Sequence, residues 1–394
     1  NINFIQRFMK YFNKNQKILF LIFGYLILYL ISSSYMYSKH DPVMMATSFD
    51  AGRYVGLKNF FAAGIGKGLL GGENIAWHLF FTYTLFITIL EKLNLINYYV
   101  EVQYVIYYLS SILFFKSLIN FNFSKLTSFL STFIIICNPF FIFWLHTLNH
   151  AGLTISLFMI SFFFLSKYDH GKLFKILFFI SIFFLLKLDG KVFFTIFMFL
   201  FYKFYLIDEK KSILNVFALA TFFILYFLYL SKYAIGLSPF SDSYLQTDLI
   251  KNEFNILAID NEVMKTYNKC LLTEYNSLRN HFCALMDHPL YSIKLYSARL
   301  LMLLTWVNTK LSFKYNFFAV GMVFFIYFGL IISLLKTKFT KFKFFLISTF
   351  LVTNLIVLPY ILRGDQKQVF YGLIFIIPLS LSGFELLLKY FKKK

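Results

Sequence analysis

Ile18-Leu-Phe-Leu-Ile-Phe-Gly-Tyr-Leu-Ile-Leu-Tyr-Leu-Ile-Ser-Ser-Ser-Tyr-Met-Tyr37 runs for twenty residues without a charge. Wound as a helix at ~1.5 Å per residue, a run of that length crosses the ~30 Å hydrocarbon core of a bilayer. The period-two alternation of a membrane barrel strand is absent, so the run reads as helix. Comparable runs follow around 75–92, 99–118, 127–146, 150–166, 173–187, 191–207 and 212–232, and again near 315–335, 344–362 and 369–388. The composition agrees: 59% of the residues are hydrophobic and only 14% charged, and the mean hydropathy is +0.69, which excludes an ordinary soluble domain. The expected fold is therefore an all-α, polytopic transmembrane helical bundle of about ten or eleven spans.

The formal charge of +20 would suggest nucleic acid in a soluble chain. Here the lysines sit in short loops and at the ends, where the positive-inside rule puts them, so no nucleic-acid partner is expected. Arg7, Lys10, Lys14 and Lys17 place the N-terminus in the cytoplasm. The first run lacks a short apolar core with a small-residue cleavage site and reads as an uncleaved signal anchor. Loops carrying Lys116/Lys125, Lys167/Lys172/Lys175 and Lys203/Lys210/Lys211 read as cytoplasmic, which makes the turns at 146–150 and 187–191 external. Lys336, Lys338, Lys341 and Lys343 place the next late connection inside, so 363–368 is external and Lys392 to Lys394 cytoplasmic. Counting from either end puts 234–292 outside. The same count allows one crossing between 74 and 116, where hydropathy offers two apolar segments, so one of them should lie flat or be broken.

Three parts follow: an N-terminal transmembrane module (1–233) with a first external loop at 38–74, an external segment (234–292), and a C-terminal transmembrane module (293–394) that opens on an amphipathic stretch. Cys270 and Cys283 lie in the external segment, where a disulfide and two free thiols are both compatible with an oxidising compartment. Cys137 lies in an apolar run. Neither Cys-x-x-Cys nor His-Glu-x-x-His spacing occurs, so no cofactor is called for, and a divalent metal has no ligand spacing to support it. The glycines at 64–72 lack the strand-to-helix context and Lys-Ser/Thr ending of a P-loop and read as a connector.

Candidate chemistry concentrates at the external turns. In Ser48-Phe-Asp-Ala-Gly-Arg-Tyr54, Asp50 shares a helical face with Arg53 or Tyr54 just beyond the first span. This is either a solvated interfacial turn or a general base with flanking binding groups. Lys187 and Asp189 interrupt an apolar stretch over 176–206; charges at that depth face a polar cavity or a partner unless a hairpin turn carries them to the surface. His146, Asn149 and His150 flank another external turn. Arg363 and Lys367, near the outer ends of late spans, suit a phosphate, a pyrophosphate or a lipid headgroup.

These stretches, taken in order, resemble the glycosyltransferase-C superfamily of polytopic enzymes that use polyprenyl- or dolichyl-phosphate sugars. Asp50-Ala-Gly-Arg-Tyr-Val-Gly-Leu-Lys-Asn-Phe-Phe-Ala-Ala-Gly64 resembles the family's first external loop, with an acidic residue, a tyrosine four on, and an amphipathic helix ending in glycine. Asn138-Pro139 before the polar turn resembles its span ending in asparagine and proline, and Leu185-Leu-Lys-Leu-Asp-Gly190 its glycine-bearing hairpin with a basic residue. Cys283-Ala-Leu-Met-Asp-His-Pro-Leu-Tyr291 resembles the return to the membrane after the large external loop, and 367–378 a basic, aromatic, then proline pattern. The chain departs from the family where Asp50 is followed by Ala51 in place of a second carboxylate, and where Gln368-Val-Phe-Tyr371 stands for an arginine-tyrosine pair.

The resemblance implies an inverting transfer at the outer face of a bacterial inner or plasma membrane. Asp50 is the expected base on a lipid, glycan or protein acceptor, and Asp41 the fallback. Arg53, Tyr54, Lys187, Asp189, Arg363 and Lys367 are the expected binding residues for a polyprenyl-phosphate sugar donor, and membrane lipids surround the chain. Two other classes fit many spans with scattered charges. A lipid-linked sugar flippase or transporter should show internal repeats, which the halves lack. An O-antigen polymerase or ligase-like enzyme should depend on Arg279, His281 or His288 of the external segment.

Overall fold

The computed structural model describes residues 76–146, 150–188, 192–207, 313–355 and 367–393, with isolated helical positions at 217, 220, 221, 286, 289, 290, 293, 297, 300 and 304. Every regular element among them is helical and none is a strand. We label the helices α1 (Ala76–Lys92), α2 (Tyr99–Asn120), α3 (Lys125–Ile136), α4 (Pro139–His146), α5 (His150–Ser166), α6 (Lys172–Leu186), α7 (Phe193–Phe201), α8 (Phe313–Lys336), α9 (Lys341–Leu355) and α10 (Lys367–Lys393). Three stretches are long and apolar enough to cross a membrane: Ile96–Asn120, Ala319–Lys336 and Tyr371–Phe391. They coincide with the runs expected at 99–118, 315–335 and 369–388. Lys125–Ile136, His150–Ser166 and Thr195–Ile207 are apolar but shorter.

Local chemistry sets the breaks. The run expected at 127–146 is divided into α3 and α4 because Pro139 lacks an N–H and disfavours helical backbone at Asn138, while its fixed φ suits the first position of a new helix. Ser124 caps α3 by accepting the Thr127 N–H at 3.0 Å. Helices α1 and α2 each end on an asparagine in left-handed conformation, Asn94 (φ 56°) and Asn122 (φ 64°). In both, the two following amides turn back on the last helical carbonyls: Leu95 to Leu90 and Asn94 to Glu91, Phe123 to Leu118 and Asn122 to Ile119. Gly171, at φ 148°, allows the chain to reverse between α5 and α6.

The helices α2 to α10 pack around one continuous apolar core. One end of the packed helices carries Lys125, Lys167, Lys172, Lys175, Lys336, Lys338, Lys341, Lys343 and Lys389; we call it the basic end, and the opposite end the far end. Near the basic end the core is aromatic: Phe121 stacks on Phe342 at 4.3 Å and Tyr202 on Phe345 at 4.3 Å. Phe162 sits among Phe114, Phe121, Phe199, Phe345 and Phe375. Helices α8 and α10 approach through small residues, Gly329 and Ser333 against Ser380, Ser382 and Gly383. A Cβ at Gly383 would overlap the Gly329 backbone, and the Ser333 and Ser382 hydroxyls lie 3.0 Å apart.

Helix α1 accounts for the surplus apolar segment between 74 and 116. Its Thr82 meets the turn after α6, and after Lys92 only six residues lead to Tyr99, which meets the end of α4. Both contacts are at the far end, whereas α2 runs on to the basic end. Asn94 is left-handed, and Leu93, Leu95 and Tyr98 beside it are exposed.

Candidate functional site at the far end

Five of the residues expected to act, Asp50, Arg53, Tyr54, Asp189 and Arg363, lie outside the described residues, as do Asp41, Asn149 and the pair Cys270 and Cys283. Lys367 opens α10. Lys187 is resolved as a turn residue. Helix α6 ends at Leu186, Lys187 follows as its C-cap, and α7 begins at Phe193, so the charged group interrupts the apolar stretch at a helix end. The Lys187 side chain is half-buried. Its carbonyl accepts the Thr82 N–H at 3.1 Å, and the Thr82 hydroxyl donates to the Phe184 carbonyl at 2.7 Å. The last carbonyls of α6, which a helix end leaves without partners, are thus taken up by α1.

A second set of contacts fastens the end of α4. Tyr99 donates to the His146 carbonyl at 2.9 Å, and Gln103 Nε2 to the Leu145 carbonyl at 3.1 Å. The Tyr104 hydroxyl lies 3.0 Å from His146 Nε2, with the two rings edge to face. His146 and His150 are each 4% exposed and Gln103 is 1% exposed, so these polar groups belong to the protein interior. Burial of such groups is tolerable only where they find partners. A third contact ties α7 to α9 through the hydroxyls of Thr195 and Thr353, 2.7 Å apart and buried. Asn354 follows on α9 and donates to the Phe350 carbonyl.

Tyr99, Gln103, Tyr104, Thr82, Thr195 and Thr353 were not singled out in the sequence. A signal existed for two of them: Tyr99 and Gln103 stand at i and i+4 of an apolar run, so they share a face, and an amide inside such a run needs a partner. The tyrosine and threonine positions carry no such mark, because tyrosines and hydroxyls are scattered through every run.

An apolar cavity of about 500 Å³ opens between the end of α3, the first half of α8 and the middle of α10. Phe133, Ile134, Phe317, Phe325 and Ile377 form its walls, and Asn138 lines it where α3 gives way to α4. Its size falls in the range of pockets that take small molecules or lipid chains, ~300–1,000 Å³. Asn138, 2% exposed, is the link between cavity and polar end, because α4 leads from it to His146.

The far end therefore holds amides, hydroxyls, two buried imidazoles and the half-buried Lys187 side chain, and the apolar cavity opens separately among α3, α8 and α10. Among the described residues, no three His, Cys, Asp or Glu side chains gather as metal ligands. No protein-family model, curated protein or solved structure matches the chain.

Proposed function

We propose that this chain is a polytopic membrane glycosyltransferase of the C-type superfamily, moving a sugar from a polyprenyl-phosphate donor to an acceptor at the outer face of the membrane. The observation that supports the reading is the apolar cavity lined by Asn138, from which α4 runs on to His146 at the far end. A lipid-linked sugar needs both halves: a slot for hydrocarbon and a polar rim for phosphate and sugar. On this reading the basic end faces the cytoplasm by the positive-inside rule, with both termini on that side and the far end outside.

Asp50 removes the proton from the acceptor as it attacks the anomeric carbon. The lipid phosphate departs with its charge met by a cation drawn from Arg53, Lys187, Arg363 and Lys367. Phosphate is a good leaving group and needs electrostatic support more than a proton. Tyr54 and Asp189 complete the donor contacts.

The test is transfer from a polyprenyl-linked sugar in reconstituted membranes. Asp50→Asn should reduce transfer by about 10²-fold or more, the ordinary contribution of a general base, while expression and insertion stay as in the parent. Unchanged transfer removes Asp50 from the mechanism. Movement of the donor lipid between leaflets without any sugar transfer identifies a flippase instead.

A further inference from the structure

We propose that the start of α6 is a binding site for an anionic phospholipid, its phosphate held by Lys172 and Lys175 and one acyl chain laid along Leu173, Ile176, Ile180 and Phe183. The assignment is independent of the glycosyltransferase reading and concerns the basic end of the molecule.

Helix α6 has two unlike faces. Phe178, Ser181, Ile182 and Leu185 are buried against the core, whereas Leu173, Ile176, Phe179, Ile180 and Phe183 are 44–64% exposed. These exposed residues recur at three- and four-residue intervals and form one apolar stripe down the helix. Lys172 and Lys175, both exposed, sit at the head of that stripe in the first turn. An apolar track headed by two ammonium groups matches a phospholipid in shape and in charge.

The turn before α6 sharpens the charge. It carries Lys167 and His170 besides the two helix lysines, and its one carboxylate, Asp169, is already engaged. Both Asp169 oxygens accept from Lys203 Nζ at 2.7 Å, and the Lys203 side chain is only 4% exposed. Asp169 therefore neutralises the buried lysine, and among the described residues no ion pair engages Lys172 or Lys175. The same contact fixes the turn. The Tyr168 ring lies 4.6 Å from Lys203 Nζ on the core side and 5.4 Å from Lys175 Nζ, so the phenol also positions the second phosphate ligand.

The full chain, purified and incubated with mixtures of phosphatidylglycerol and phosphatidylcholine, should retain the anionic lipid preferentially when bound lipid is counted by native mass spectrometry. Two surface lysines correspond to roughly a thirtyfold preference. Lys172→Gln/Lys175→Gln should abolish most of that preference, while Lys336→Gln/Lys338→Gln, at the same end but where α8 passes into the turn before α9, should leave it intact. Equal losses in the two double variants overturn the site in favour of a diffuse basic surface, and a parent with no preference overturns it outright. Both variants change exposed side chains, and unchanged thermal unfolding in phosphatidylcholine verifies that each is folded. Ile176→Ser/Ile180→Ser should weaken retention of both lipids and keep their ratio; undiminished retention overturns the acyl-chain contact.

Discussion

The two ends of the packed helices solve the same problem in different ways. At the basic end, charges pair and rings fill space: Asp169 holds the buried Lys203, and Glu385 joins Lys389 at 2.7 Å while accepting from the hydroxyls of Ser124 and Thr127 at the start of α3. Phenylalanines and tyrosines from five helices interlock beneath. At the far end the buried groups are amides, hydroxyls and imidazoles, and Tyr99, Gln103 and Thr82 reach across to carbonyls of neighbouring helix ends. Aromatic packing stabilises by buried area and tolerates little change in volume. Hydrogen bonds to helix ends contribute less each. The comparison assigns the larger share of stability to the basic end and the smaller to the far end.

That division can be broken most decisively at Phe162. Phe162→Ala removes the ring at the centre of the aromatic cluster and should cost about 3–5 kcal/mol, measured by thermal unfolding in detergent. Asp169→Asn should cost about 1–3 kcal/mol, because it weakens two bonds to a buried ammonium. Asp169→Ala/Lys203→Met should recover part of that loss. At the far end, Tyr104→Phe removes one hydroxyl from His146 Nε2 and should cost about 0.5–1.5 kcal/mol. Lys187→Gln should change stability least, by about 0.5 kcal/mol or less. On the glycosyltransferase reading it should still raise the donor concentration needed for transfer. If Lys187→Gln or Tyr104→Phe destabilises as much as Phe162→Ala, the two ends do not divide the work as described.

Much of the helical architecture was legible in the chain. Length and hydropathy marked α2, α8 and α10, because twenty apolar residues in a row have one economical way to satisfy their backbone amides in lipid. The break at Pro139 was carried by the sequence but not read from it, since 127–146 was expected as one run, and Gly171, where the chain reverses before α6, was not singled out. The reading of Lys187 left open a charge facing a polar cavity or partner and a hairpin turn at the surface; the structure puts Lys187 at the end of α6 with its side chain half-buried. Of the two apolar segments between 74 and 116, hydropathy could not say which one crosses; among the described residues Ile96–Asn120 is the one formed as a helix long and apolar enough to do so.

By itself, then, the sequence determined that this is a chain of apolar helices, that its lysines gather at one end, and where several helices must stop. These are local properties, set by side-chain hydropathy and backbone dihedral preference over a few turns. Only the tertiary structure decided that Gln103 and Tyr104 face the end of α4, that Asp169 is tied to Lys203, and that α3, α8 and α10 leave a cavity beside Asn138. Each depends on which helix faces are turned toward one another, and that follows from packing between residues distant in the chain, where hydropathy assigns every face of an apolar helix nearly the same value.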